Sequence, residues 1–335
     1  MVYSLSHSII FWERQRQRQR YDIKTMSEKN EAENTPSCCA SCGIAEIDDI
    51  KLMPCDDCDL VKYCSDECQE VHASSHEEEC KERAAELRDE LLFKQPESTH
   101  LGDCPICCLP MPLDVMKSTI NTCCSKTICN GCVIANRMQE TEMGLHHSCP
   151  FCREQLPVGD EECKKQNMKR IEMNDPAAMC YEGVEQHKKG NYSRAFEYWT
   201  KAAELGNVEA HARLADVYYH GDGVEKDGGK YVHHLKQSAI GGHPRARHNL
   251  GGHDWNNGNY ERAVEHFIIA ATQGYDESVK MLMRGFKVEL VPKNVLAAAL
   301  RAHQAAVDET KSPQREAAEA YYREYNGQQV LWFSP

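Results

Sequence analysis

Cys104-Pro-Ile-Cys107-Cys108, Cys123-Cys124-Ser-Lys-Thr-Ile-Cys129-Asn-Gly-Cys132 and Cys149-Pro-Phe-Cys152-Arg153 crowd nine cysteines into one short stretch of the chain. Each cluster contains or ends in a Cys-x2-Cys pair, the spacing at which a tight turn aims two thiolates at one ion. The N-terminal apolar run Ser8-Ile-Ile-Phe-Trp12 is too short for a secretory-signal core. The expected setting is therefore a reducing compartment, cytoplasmic or nuclear, where such pairs hold metal rather than disulfides.

Working outward toward the N-terminus, donors recur as Cys39-x2-Cys42, Cys55-x2-Cys58, Cys64-x3-Cys68 and His76-x3-Cys80. The x3 spacing puts two donors on one helix face, so helical turns are expected at 65–69 and 76–80. Cys38 beside Cys39, and His72 ahead of His76, are alternative donors at this stage. With its flanks Tyr63-Cys64-Ser65 and Cys68-Gln69, the pattern resembles the MYND finger over 39–80. The resemblance implies two interleaved zinc sites, Cys39, Cys42, Cys64 and Cys68 on one and Cys55, Cys58, His76 and Cys80 on the other. Closed sites of this kind hold a fold together and catalyse nothing, and the family binds short proline-containing peptides. Residues 81–94 read as a charged helix that Gln95-Pro96 breaks.

The stretch around Cys104 to Cys152 resembles a RING domain over 100–157. A common RING pattern has histidine where this chain has Lys126, and an ammonium has no lone pair to offer. The departure resembles the all-cysteine RING variants. That implies Cys104, Cys107, Cys129 and Cys132 on one zinc, and Cys123, Cys124, Cys149 and Cys152 on the other, with Cys108, His146 and His147 as substitutes. Sixteen donors then hold four zinc ions, two per module. Cys38, Cys108, Cys163 and Cys180 are left over from the nineteen cysteines.

The RING resemblance also implies an activity. Such domains bind a charged ubiquitin-conjugating enzyme and orient its thioester-linked ubiquitin, with no covalent intermediate of their own. The implied contacts are Ile106, Val133, Ile134 and Pro150, which form an apolar groove, and Arg153, whose guanidinium can bond both partners at once. The plainer reading is that Ile106, Val133 and Ile134 pack against the zinc turns and Arg153 is a solvated charge.

Beyond residue 174 cysteine gives way to alanine, tyrosine and glycine. Gly190-Asn-Tyr-Ser-Arg-Ala195 recurs as Gly258-Asn-Tyr-Glu-Arg-Ala263, with a divergent copy between them. Tyr192, Ala195, Phe196, Trp199 and Ala203 fall on one helix face, as do Tyr260, Ala263, Val264, Phe267 and Ala271. Asp175-Pro176 and His243-Pro244 place proline where a helix start tolerates it. The period, close to the roughly 34 residues of tetratricopeptide arrays, together with the loop Gly221-Asp-Gly-Val-Glu-Lys-Asp227, resembles Sel-one-like repeats. Three clear units, a weaker fourth at 276–307 and a terminal helix at 313–325 are expected. The scattered histidines of this half show no shared ligand spacing.

The fold class is thus a multidomain chain, with two small zinc-stabilised α+β modules followed by an all-α helical-repeat solenoid. The expected divisions are a disordered tail 1–38, a finger 39–80, a helical linker 81–99, a second finger 100–157, a charged linker 158–174, repeats 175–310 and a capping helix with tail 311–335. A net charge of −13 disfavours nucleic acid as a partner. No apolar run approaches the roughly 18 residues of a membrane span. Two functions fit. One is a ubiquitin-protein ligase whose finger and repeats select protein substrates, with a ubiquitin-conjugating enzyme and ubiquitin as partners. The other is a non-catalytic scaffold for protein–protein interactions. A lysine methyltransferase is set aside, because alanine-rich repeats fill the space its β-rich catalytic domain needs.

Overall fold

The computed structural model describes residues 38–46 and 51–325. The expected disordered tail up to residue 37 and the segment 326–335 lie outside the described residues. The described chain divides into two units at Lys94 and Gln95.

In the first unit, β1 (Met53–Pro54) pairs antiparallel with β2 (Lys62–Tyr63). Ser65 then caps α1 (Asp66–Phe93), its hydroxyl accepting from the Cys68 amide at 3.3 Å. The two helical turns and the linker helix expected from sequence are one continuous 28-residue helix. No proline or glycine interrupts it, and Arg83 bonds both Glu86 and Glu90 along its exposed side. The core here is Cys39, Leu52, Cys55, Cys58 and Tyr63. So small an apolar centre, mostly cysteine, leaves the fold to be held by metal.

The second unit opens with a hairpin of β3 (Ser118–Asn121) and β4 (Lys126–Cys129), in register from Ser118 opposite Cys129 to Asn121 opposite Lys126. Helix α2 (Asn130–Glu142) follows. The linker beyond it carries α3 (Asp160–Glu172). Six helices then form three pairs: α4 (Pro176–Lys188) with α5 (Tyr192–Glu204), α6 (Val208–His220) with α7 (Gly228–Ile240), and α8 (Pro244–Asn256) with α9 (Tyr260–Thr272). The fourth pair is α10 (Asp276–Lys287) and α11 (Lys293–Glu309). Side chains cap the helix starts: Asp175 accepts from Ala177 at 2.9 Å, Asn207 from Ala210 at 2.8 Å and Asp227 from Lys230 at 2.9 Å.

Trp199 and Phe267 anchor equivalent pairs, each against a glycine of the partner helix. A Cβ on Gly183 would lie 2.4 Å from Trp199 Nε1, and one on Gly251 2.7 Å from Phe267. The aromatic rings are buried because the facing residue has no side chain. The faces expected from periodicity are inside at Ala195, Trp199 and Ala203 and at Ala263, Val264, Phe267 and Ala271. Tyr192 and Tyr260 depart from it: each is the first residue of its helix and remains exposed.

The last helix, α12 (Pro313–Tyr325), corrects an expectation. Rather than capping the repeats, it packs along α2 of the second cysteine module. Among the described residues no helix is long and apolar enough to cross a membrane.

Candidate metal centres

Four turns of one design carry the donors. In each, the amide after a Cys-x2-Cys pair donates back to the carbonyl of the first cysteine: Gly43 to Cys39 at 2.8 Å, Asp59 to Cys55 at 3.2 Å, Cys108 to Cys104 at 2.9 Å and Arg153 to Cys149 at 2.9 Å. The residue in that slot has positive φ in all four. This accounts for Cys108. It is the left-handed closing residue of its turn, exposed, and not a donor. Arg153 fills the same slot in the last turn, which holds its side chain outward.

The remaining donors come from other elements. Cys64 and Cys68 flank the start of α1, and His76 and Cys80 lie about two and three turns beyond Cys68 along it. Cys129 and Cys132 straddle the β4–α2 junction. The adjacent Cys123 and Cys124 sit in the β3–β4 hairpin loop. That loop is closed by the Ser125 amide donating to the Asn121 carbonyl at 2.7 Å, with Ser125 left-handed.

These donors meet in four quartets: Cys39, Cys42, Cys64 and Cys68; Cys55, Cys58, His76 and Cys80; Cys104, Cys107, Cys129 and Cys132; Cys123, Cys124, Cys149 and Cys152. Within each, all donor atoms lie within 4.8 Å of one another. Sulfur pairs stand at 3.5 Å (Cys42–Cys64), 3.7 Å (Cys55–Cys80), 3.8 Å (Cys107–Cys129, Cys124–Cys149), 3.9 Å (Cys104–Cys132) and 3.4 Å (Cys123–Cys152). A tetrahedron with zinc–sulfur bonds of about 2.3 Å has edges of about 3.8 Å. A disulfide needs about 2.05 Å, and every described cysteine is free. The crowded thiols perturb one another in both directions: burial pushes Cys80 and Cys132 up to about 12, while a backbone hydrogen bond at Cys42 brings Cys39 down to about 6 and the Cys129 thiol brings Cys104 down to about 4. Coordination takes them all as thiolates. The donor chemistry and spacing of each quartet fit a zinc ion with every position filled by protein, the donor set of a structural rather than a catalytic site.

The first-unit alternatives resolve. His76 Nε2 lies 3.1 Å from Cys58 Sγ, while His72 turns to the Tyr63 hydroxyl at 3.0 Å. In the second unit, His147 faces Glu140 at 3.4 Å and His146 is exposed, both away from the quartets. Cys163 and Cys180 stand outside them too.

The five residues expected to contact a conjugating enzyme are placed unequally. Val133 (3% exposed), Ile134 (5%) and Pro150 are buried. Val133 belongs to the module's core, and α2, which carries Val133 and Ile134, has α12 packed along it. This corrects their reading as surface contacts. Ile106 (41% exposed) and Arg153 are open, and Arg153 donates to Asn136 Oδ1 at 3.1 Å. Phe151, 43% exposed and two residues before Arg153, is a surface residue that the sequence reading missed. The signal was present: Cys104-Pro-Ile-Cys107 and Cys149-Pro-Phe-Cys152 are the same turn, so Phe151 is the counterpart of Ile106. Spacing could not single out a further cluster, His100, Glu209 and His243, whose members are far apart in sequence.

Comparison with known proteins supports the two ends of this arrangement. A family model for the MYND finger matches residues 39–80, and one for the Sel1 repeat matches 177–207, 208–243 and 244–275. No curated protein matches the chain. Among solved structures, a Sel1 repeat protein from Oxalobacter formigenes is 23% identical, with a TM-score of 0.37, over 55% of this chain and 71% of its own. A protective antigen present in uropathogenic Escherichia coli strains, displaying an SLR fold, is 19% identical, with a TM-score of 0.36, over 54% of this chain and 39% of its own. A zinc-binding finger region therefore precedes an all-helical Sel1 repeat array. Modules of both kinds mediate protein–protein contact, and together they make an interaction scaffold.

Proposed function

We propose that this scaffold is a RING-type ubiquitin-protein ligase. On this reading the module at 100–157 carries two of four structural zinc ions and docks a ubiquitin-conjugating enzyme, while the MYND finger and repeats select protein substrates. The supporting observation is the pairing of Ile106 and Phe151. Two exposed apolar side chains occupy the same slot of the two Cys-Pro-x-Cys turns, and the exposed Arg153 closes the second turn. Ile106 and Phe151 replace the groove expected from Val133, Ile134 and Pro150.

In this mechanism no residue of the chain acts as the nucleophile. The zinc ions, all of whose positions are filled, set the turns and nothing more. Ile106 and Phe151 would seat the enzyme by burying apolar surface. Arg153 would bond both the enzyme and its ubiquitin, restraining the thioester in the pose a lysine amine attacks.

An autoubiquitination assay over a panel of conjugating enzymes tests this. Chain formation that Ile106→Ala and Arg153→Ala each reduce by about tenfold or more supports it. Activity that survives both substitutions sinks the mechanism. The burial of three of the five expected contacts favours a second reading, a scaffold with no conjugating-enzyme partner. That reading gains if no member of the panel is active and none shifts the NMR signals of Ile106 or Phe151.

A further inference from the structure

Arg315, on the C-terminal helix α12, is 6% exposed although it is charged. Its Nη1 donates to the carbonyls of Pro110 and Thr310, both at 2.7 Å. Its Nη2 donates to the Leu109 carbonyl at 3.1 Å and to Cys107 Sγ at 3.4 Å. Pro110 and Leu109 directly follow the first Cys-x2-Cys turn of the second module, and Cys107 is one of its donors. No carboxylate is among the groups that Arg315 bonds in this pocket.

The approach is built into the sequence on both sides. Gly131 lies between Cys129 and Cys132, and a Cβ there would come within 2.9 to 3.1 Å of Arg315 Cγ, N and Cα. Only glycine lets α12 come this close. Ser312 caps the helix, its hydroxyl accepting from the Arg315 amide at 3.2 Å. Ala318 is buried, and Glu319 pairs with Lys117 at 2.8 Å.

We propose that Arg315 is the counter-charge of the metal centre formed by Cys104, Cys107, Cys129 and Cys132, and that α12 is the wall that closes it. The inference rests on the reading above that this quartet holds zinc. A dication bound by four thiolates carries two excess negative charges, and Cys104, Cys129 and Cys132 are almost wholly buried. An uncompensated charge there is costly. A guanidinium that donates to one thiolate and is fixed by three carbonyls offsets it, and also holds Cys107 at its bonding angle. The quartet of Cys123, Cys124, Cys149 and Cys152 is exposed at Cys152, where solvent can offset the charge instead. Residues at the far C-terminal end of the fold thus complete a centre whose donors lie some two hundred positions earlier, and the two zinc sites of one module differ in how they keep their metal.

The test uses the full zinc-loaded chain. Arg315→Gln and Arg315→Lys are compared with wild type by elemental analysis and by the rate at which a chelator removes each ion. Glu319→Gln, which loosens α12 without touching Arg315, is the control. In Arg315→Gln one ion leaves about 10- to 100-fold faster while the other three keep wild-type rates. Arg315→Lys, which keeps the charge but not the fork, falls between. With cobalt as the probe metal, losing the hydrogen bond to Cys107 shifts the thiolate-to-cobalt absorption band of that site alone, which a general loosening does not do. If Arg315→Gln does not fold, the rates and band of Arg315→Lys decide. Wild-type rates and an unmoved band in the Arg315 variants overturn the role of Arg315. A wild-type chain holding only two zinc ions overturns both this role and the reading of the module beneath it.

Discussion

The imidazoles of His100 and His243 stack face to face, 4.0 Å apart and 5° from parallel, over one oxygen of Glu209. His243 Nε2 lies 2.9 Å from Glu209 Oε2 and His100 Nε2 lies 3.5 Å from it. His243 Nδ1 accepts the Ala246 amide at the start of α8, so its proton sits on Nε2 and is donated to the carboxylate. Parallel rings send their lone pairs in parallel directions, and Arg213 Nε stands 2.7 Å from the other Glu209 oxygen. The trio is a hydrogen-bonded staple, not a metal cage. With the His100 amide donating to the Gly242 carbonyl at 3.0 Å, it ties the start of the second module to the repeats. His243→Asn keeps the helix cap but drops the bond to Glu209. It should cost about 1–2 kcal/mol in denaturant melts; no change in midpoint would show that the staple is idle.

Acid should loosen the repeats. Burial lowers the pKa of His211, His243 and His248, and that of His234 from 6.5 to about 4. Groups depressed on folding take up protons on unfolding, so their stability is whole above pH 6.5 and drains away as pH falls toward 4. Glu209 acts in the same direction further down. Burial alone would raise its pKa, but His100, His243 and Arg213 outweigh this and hold it well below the usual carboxylate range. Thermal melts followed by far-ultraviolet circular dichroism should show the midpoint falling across this interval. His234→Gln should flatten the slope; an unchanged slope in that variant contradicts the assignment.

Stripping zinc should unfold the fingers and spare the repeats. The core of the first unit is largely its own metal donors, whereas Ala195, Trp199, Leu214, Ala263 and Phe267 pack without any. Chelator should therefore expose 39–80 and 104–152 to protease while most of the helical signal persists. Loss of the entire helical signal would contradict this division.

Gly183→Ala places a methyl 2.4 Å from Trp199 Nε1, which donates to the Cys180 carbonyl at 3.2 Å. Overpacking of this kind costs about 1–3 kcal/mol. Gly190→Ala, where nothing lies nearby but φ is +78°, tests backbone strain separately. Equal stability of Gly183→Ala and wild type would show that the pair packs loosely.

What could be read in advance was local. Cys-x2-Cys turns, the i, i+4 donors of α1 and the recurrence of Gly190–Ala195 at Gly258–Ala263 all declare themselves within a few positions. What could not be read was the pairing of distant surfaces. Nothing near Arg315 announces that it faces Cys107, and cysteine spacing alone leaves open whether Val133 and Ile134 line a groove or pack inside. The single helix 66–93 was divided in expectation because donor spacing marks turns, not their continuity. Phe151 was legible from Cys149-Pro-Phe-Cys152, had that turn been set against Cys104-Pro-Ile-Cys107.

The most direct test of the ligase proposal separates docking from activation. A conjugating enzyme charged with ubiquitin is mixed with free lysine and the full chain, and thioester loss is followed in a single turnover, with binding of the enzyme measured in parallel. The proposed mechanism predicts that wild type speeds discharge. Ile106→Ala and Phe151→Ala should lose both binding and discharge, and Arg153→Ala should bind while losing discharge by about tenfold or more. Discharge by wild type no faster than the enzyme alone, across the panel, would contradict it and leave the chain a scaffold.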